Sequence, residues 1–145
     1  IVIDAGGVPP AVWGELASES CKNKGIAGLV VHGAVRDTAE IRDLGFAAWS
    51  RHITSHAGNP HGLGEINVPI EISHQPICPG DWIVADDDGV MVLPAARAVE
   101  MANRAADVLE AENRIRAEIR DQNSTLAKVV NLKRWEKKGV GDAIG

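Results

Sequence analysis

"GELASESCKNKGIAGLVVHGAVRD", residues 14–37, decides the fold. Gly14 to Lys24 reads as a helix: Leu16, Ala17, Ser20 and Cys21 fall on one face, and Gly25 is a C-terminal stop. Ala27 to His32 is a short apolar run, the pattern of a buried strand. Upstream, "IVID" (1–4) has the same character, and "AGGVPP" breaks it. Strand, helix and strand within about thirty residues make a βαβ unit, so the two strands should be parallel and their crossover right-handed. The second strand is expected to end in a glycine turn at Gly33 and to deliver Arg36 and Asp37 at its C-terminal end.

The rest of the chain extends this α/β core. Thr38 to Leu44 reads as a helical turn and "FAAWSRHI" (46–53) as a third strand. Residues 54–65, rich in Gly and carrying His56 and His61, read as a loop. "INVPIEI" (66–72) alternates like an edge strand with Pro69 at a bulge. "PGDWIVADDDGVMVLP" (79–94) is a hairpin, "WIVA" and "VMVL", with Asp-Gly supplying positive φ at the tip. Pro94 then opens a long C-terminal helix from Ala95 to about Gln122. Its apolar stripe runs from Val99 through Ala102, Ala105 and Val108/Leu109 to Ile115 and Ile119, interrupted by Glu112. A final helix is capped by Ser124 or Thr125. The expected organisation is one α/β domain over 1–121 and a helical tail over 122–145.

Composition excludes some classes. The net charge of −5 argues against general nucleic-acid binding, which needs phosphates neutralised. The basic run from Lys128 to Lys138 reads as a solvated helix face, because no aromatic platform accompanies it. No stretch is apolar and long enough for a membrane-spanning helix. Cys21 and Cys78 form no CxxC pair and suit a reducing, cytoplasmic setting. The chain opens without an initiator Met, as a trimmed or fused domain would.

Arg-Asp also occurs at 42–43 and 120–121, on helix surface. The pair at 36–37 differs because open α/β sheets place ligands at the C-terminal ends of their strands. Glu15 stands at the start of the preceding helix, with twenty residues between it and Arg36, at that same end of the sheet. The other two pairs have no acid at that offset. Neighbouring strand residues point to opposite faces, so Arg36 and Asp37 can share a site only where the backbone turns.

Two carboxylates and water make a hard oxygen site suited to Mg²⁺ or Mn²⁺. The backbone N–H groups of Gly14, Glu15, Leu16 and Ala17 form an anion cradle at the helix N-terminus. Arg36 offers a planar fork for a carboxylate. Together these features suit an α-oxo acid: the cation would chelate its oxo and carboxylate oxygens and stabilise the enolate left when the neighbouring C–C bond breaks. A purely structural reading stands beside this one: Glu15 favours the helix start, and Arg36 and Asp37 pair locally.

The sequence resembles the family of 4-hydroxy-4-methyl-2-oxoglutarate aldolase and the regulator of ribonuclease activity A. The matching pieces are residues 14–37, "GEINVPI" (64–70) and "PGDWIVADDDGVMVLP" (79–94), in the family's order. The family's motif, an acid, twenty residues and Arg-Asp, is present as Glu15, Arg36 and Asp37, with Glu40 following. The first acid is often Asp, and Glu15 is one methylene longer.

The resemblance implies a divalent-metal-dependent lyase, a class II pyruvate aldolase that also decarboxylates oxaloacetate. Asp37 and Glu15 would hold the metal, directly or through water. Arg36 would bind the pyruvate moiety and polarise its carbonyl, and the Leu16 and Ala17 amides, beside Gly14, would hold its carboxylate. The implied fold is the layered β/β/α type of swivelling domains, assembled as a homotrimer or hexamer. The family's other branch implies an alternative, a non-catalytic regulatory binding protein.

Other motifs carry less. "DDDG" (86–89) lacks the closing Glu of a calcium loop. His52 and His56 would need a helix to share a zinc, which Gly58 and Pro60 oppose. "DAGG" (4–7) completes no phosphate-binding pattern and reads as a turn near the site. Trp13, Trp49, Trp82 and Trp135 read as packing groups, and lining the site is the alternative for Trp13, which stands next to it.

Overall fold

A computed structural model describes residues 1–59, 62 and 64–131. The chain forms two compact units, Ile1–Ala98 and Val99–Gly145.

The first unit is built on a parallel sheet. Its elements begin β1 (Val2–Asp4), β2 (Ala11–Trp13), α1 (Glu15–Asn23), β3 (Gly28–Val35), α2 (Thr38–Asp43) and β4 (Ala47–Ile53). β3 is the axis. β4 runs along one edge of it, from the pairing of Gly28 with Ala47 to that of Val35 with Ile53. β1 and β2 divide the other edge, β1 against Val30–His32 and β2 against Ala34 and Val35. All these pairings are parallel, as the βαβ reading requires.

Two expectations are corrected here. β3 does not stop at a glycine turn: it continues through Gly33 to Val35. Its register slips between Val31 and Ala34 on the β4 side, a bulge. Gly33 is needed because an added Cβ would lie 2.8 Å from Cβ of Ala5. The segment after "IVID" is also more than a break, since it contains the three-residue strand β2, too short to show alternation.

Alternation along β3 sorts the layers. Leu29, Val31 and Val35 form the core with Ile41 and Phe46, and Ile3, Cys21 and Ala48 pack against them. Leu29 is 1% exposed, so truncating it would leave a cavity. On the opposite face, Trp49 of β4 donates its indole N–H to the carbonyl of Asp86, 2.8 Å away, in the hairpin of β7 (Trp82–Asp86) and β8 (Gly89–Leu93). Helices therefore lie on one face and antiparallel strands on the other, a layered α/β arrangement. The β7–β8 turn differs in detail from expectation: only Gly89 takes positive φ, at 147°. A further hairpin, β5 (Ile70–Ile72) with β6 (Gln75–Ile77), replaces the longer strand expected over 66–72. Its turn residues, Ser73 and His74, both have positive φ, a geometry usually signalled by Asn or Gly.

The second unit is dominated by α3 (Ala98–Asp121), entered through a 3-10 turn at Ala95–Arg97. Pairs spaced i,i+4, such as Arg114 with Glu110 at 2.7 Å, lace its surface. None of its residues is buried, and Val99 and Val108 of the apolar stripe are exposed. α4 (Leu126–Val129) follows, with Thr125 at the N-cap position but making no side-chain cap bond. The basic run beyond Asn131 lies outside the described residues. No described helix is long and apolar enough to cross a membrane.

Candidate active site

The site begins where β2 passes into α1 and β3 passes into α2. The Arg36 N–H donates to the carbonyl of Trp13 at 2.9 Å, which locks the end of β3 beside the end of β2. Asp37 then adopts the left-handed conformation, φ 57° and ψ 41°. This is the turn that lets two consecutive side chains serve one place; it occurs at Asp37 rather than at Gly33. The Asp37 carboxylate reaches back to α1. Its Oδ2 accepts the Glu15 N–H at 3.2 Å and lies 3.6 Å from Nε of Arg36. The other oxygen, Oδ1, takes no hydrogen bond among the described residues.

Gly14, the N-cap of α1, makes this approach possible. A Cβ there would sit 2.5 Å from Oδ2 of Asp37 and 3.1 Å from Cγ and Nε of Arg36. Its φ of −157° is open to any residue, so the requirement is for space alone.

Gly14 and Arg36 border a cleft of about 320 Å³, whose lining includes neither Asp37 nor Glu15. Trp13, Gly14, Leu16, Ala17 and Arg36 line it from the β2–α1 and β3 side, and Ala57 and Gly58 face them. Two backbone bonds fix that facing loop to β2: Ala11 N–H to His56 carbonyl and Gly58 N–H to Ala11 carbonyl, each 2.8 Å. The amides of Leu16 and Ala17 have no acceptor among the described residues. The Glu15 side chain is half-buried and makes no hydrogen bond or ion pair among the described residues. Glu40 is exposed in the first turn of α2.

The structure thus brings the Glu15 backbone, Asp37 and Arg36 together and lines the cleft with Gly14, Leu16, Ala17 and Arg36. Among the described residues, no three His, Cys, Asp or Glu side chains gather as a metal cage. Any ion held by Asp37 and Glu15 would keep several waters, which suits Mg²⁺.

The other motifs lie elsewhere. His52 is in β4, not in a helix, and donates from Nε2 to the carbonyl of Gly7 at 3.1 Å. His61 lies outside the described residues. Gly6 and Gly7, both at φ 74°, turn over His32 instead of opening toward the cleft. A second polar group sits there. His32 Nδ1 is 2.8 Å from Oδ1 of Asp4, and its Nε2 is 3.2 Å from Nη1 of Arg51. Arginine can only donate, so Nε2 is the acceptor and Nδ1 carries the proton bonded to Asp4. The Gly6 N–H and this histidine bond hold the Asp4 carboxyl below its ordinary range.

Ser18 was not legible as a site residue. It is 0% exposed, and its Oγ accepts the Trp13 indole N–H at 2.8 Å while donating to the Gly14 carbonyl at 3.1 Å. A serine within a helical pattern carries no signal of such a role.

Residues 1–92 match the RraA-like family, described as Aldolase/RraA. The chain belongs to this family. Among curated relatives, protein MJ0644 of Methanocaldococcus jannaschii is 38% identical over 90% of this chain and 62% of its own length. A 4-hydroxy-4-methyl-2-oxoglutarate aldolase of Thermus thermophilus is 36% identical, covering 65% of this chain and 58% of its own. Among solved structures, Streptomyces coelicolor RraAS2, titled an unusual member of the RNase ES inhibitor RraA protein family, superposes with a TM-score of 0.75. It is 34% identical over 81% of this RraA-like chain and 61% of its own. The chain thus spans about three fifths of these relatives' lengths.

Proposed function

We propose that this RraA-like chain carries the site of a divalent-metal-dependent lyase that cleaves the C–C bond next to a pyruvate moiety. One observation carries the reading. The Asp37 carboxylate, whose Oδ1 takes no hydrogen bond among the described residues, lies beside Arg36, and Arg36 lines a cleft together with Leu16 and Ala17, whose amides have no acceptor among the described residues.

The donor set fits Mg²⁺ or Mn²⁺. Asp37 and Glu15 offer hard carboxylate oxygens that, among the described residues, only the loose Arg36 pair neutralises, and water would fill the remaining positions. When bound, such an ion supplies Lewis acidity to the 2-oxo group. The chain's own residues do the rest. The Leu16 and Ala17 amides, at the positive end of α1, receive the substrate carboxylate. Arg36 donates to the carboxylate and the 2-oxo oxygen, where negative charge accumulates as the bond between C3 and C4 breaks; in the retro-aldol case the C4 hydroxyl gives its proton to water, and the enolate takes one from water at C3. Trp13 and the Ala57–Gly58 loop form the walls that orient the oxo acid. Retro-aldol cleavage and loss of CO₂ from oxaloacetate place that charge on the same oxygen, so one site serves both. The relative named as an aldolase supports this reading. Assembly as a homotrimer or hexamer in the cytoplasm belongs to the same proposal.

A second reading, a regulatory protein that binds a ribonuclease, is supported by the likeness to the Streptomyces protein, a member of an RNase ES inhibitor family. A coupled lactate dehydrogenase assay separates the two. Pyruvate released from oxaloacetate or 4-hydroxy-4-methyl-2-oxoglutarate with Mg²⁺, and abolished by EDTA, is the expected result. No release above the metal-only background from folded protein would refute the lyase.

A further inference from the structure

We infer that Ser18 is a positioning residue of the cleft: its buried hydroxyl sets the Trp13 ring and the Gly14 carbonyl, and through them the placement of Arg36 and Asp37. The inference rests on the oxo-acid reading for its catalytic consequence and on hydrogen bonds alone for its geometry.

Ser18 is the buried polar residue of the described core, at 0% exposure. Alanine would favour the helix more and bury no polar side chain of its own. The hydroxyl is instead fully used. It donates to Gly14 O at 3.1 Å, alongside the Ser18 N–H to the same oxygen at 3.2 Å. It accepts from Trp13 Nε1 at 2.8 Å. Both partners are cleft residues where β2 passes into α1: Trp13 ends β2, and Gly14 is the one residue before α1.

That junction is also what holds the charged pair. The Trp13 carbonyl takes the Arg36 N–H, and Gly14 gives Asp37 the space to reach the Glu15 N–H. Ser18 touches no cleft volume itself, so its effect must pass through Trp13 and Gly14. Without the hydroxyl, the indole N–H loses its acceptor and turns toward water, and the ring leaves its place on the cleft wall.

The test compares S18A, W13F, the double variant and S18T. S18A should melt within a few degrees of wild type yet raise KM for the oxo acid about tenfold, the worth of one hydrogen bond, with kcat changed less than about threefold. W13F should give the same KM shift, and the double variant should be no worse than either single one. S18T keeps the hydroxyl but adds a methyl group where there is no room. It should melt lower and retain near-normal KM, the reverse of S18A.

Additive effects, or a wild-type KM in S18A, would overturn the inference. If wild type itself shows no turnover, the lyase reading falls but this one does not. Native-state hydrogen exchange at the Glu15 and Arg36 amides then decides. Faster exchange at both in S18A, against an unchanged β3 interior, supports positioning, and no change refutes it.

Discussion

Replacing Gly14 with alanine tests the site through a single methyl group. The backbone at Gly14 is extended and permits any residue, so conformational cost is small. The new Cβ would stand 2.5 Å from Oδ2 of Asp37, about 0.9 Å inside ordinary contact. The carboxylate has solvent on its outer side, so it is the group that moves. A shift of that size lengthens the 3.2 Å bond from the Glu15 N–H beyond hydrogen-bond range. Losing this part-exposed bond, with alanine a poorer N-cap than glycine, costs about 1 kcal/mol. For a unit of this size that is a Tm drop of roughly 4–8 °C. Function should suffer more: a 1 Å misplacement of a reacting group costs on the order of a hundredfold in rate. The assay is EDTA-sensitive pyruvate release, measured beside a thermal melt. G14A in a D37N background separates cause from coincidence, because once the carboxylate is gone the methyl should cost little further activity. A kcat/KM for G14A within about threefold of wild type would refute the geometry, as would full additivity with D37N.

Three further outcomes are expected. D37N keeps a side chain tolerant of the left-handed conformation and able to accept the Glu15 N–H, so it should melt near wild type while metal-dependent turnover falls at least about a hundredfold; wild-type turnover would remove Asp37 from the site. R36K keeps the charge but loses the fork, and kcat/KM should fall at least about tenfold, since an ammonium cannot engage a carboxylate through two parallel bonds; an unchanged value would argue against carboxylate recognition there. For Asp4, the Gly6 N–H and His32 depress the folded carboxyl below its ordinary 3.8, so its contribution is present above that pH and lost as pH falls through the folded value. Thermal melts of wild type and D4N should therefore differ at pH 7 and converge below about pH 4, and a constant gap across that range would show that the carboxylate's charge is not what matters.

The strands, helices and parallel pairing of the first unit were legible because burial writes itself into composition. β3 is apolar on both faces over most of its length, and α1 has a clear stripe closed by Gly25. What escaped was short or locally unconventional. β2 has three residues and needs β3 to exist at all, and the Ser73-His74 turn takes positive φ without the usual Gly or Asn. Gly33 was misread because a glycine that admits a neighbour's methyl group looks, in sequence, like one that turns the chain. At the site, spacing placed Glu15, Arg36 and Asp37 at one end of the sheet, since a βαβ unit returns its helix start to the strand end. Spacing could not reveal that the turn occurs at Asp37, that Gly14 makes room for it, or that Ser18 underlies both. Those facts depend on contacts between side chains and a neighbouring backbone.

The strongest argument that Asp37 is held for chemistry is what its carboxylate fails to do for stability. A non-glycine residue in the left-handed conformation costs about 1 kcal/mol relative to glycine, and Asn or Asp only somewhat less than others. Asp37 occupies the N-cap of α2, where an aspartate usually recovers such a cost by bonding the first turn. Here it makes no side-chain cap bond. The carboxylate turns instead to α1, where one oxygen meets a single long hydrogen bond and a 3.6 Å ion pair that is a third to nearly half exposed. A pair of that kind contributes well under about 1 kcal/mol. Folding alone would therefore accept glycine at position 37 with little loss. An observed strain that its local contacts do not repay, beside an arginine and two unpartnered amides, is the pattern expected where a side chain is kept for a ligand.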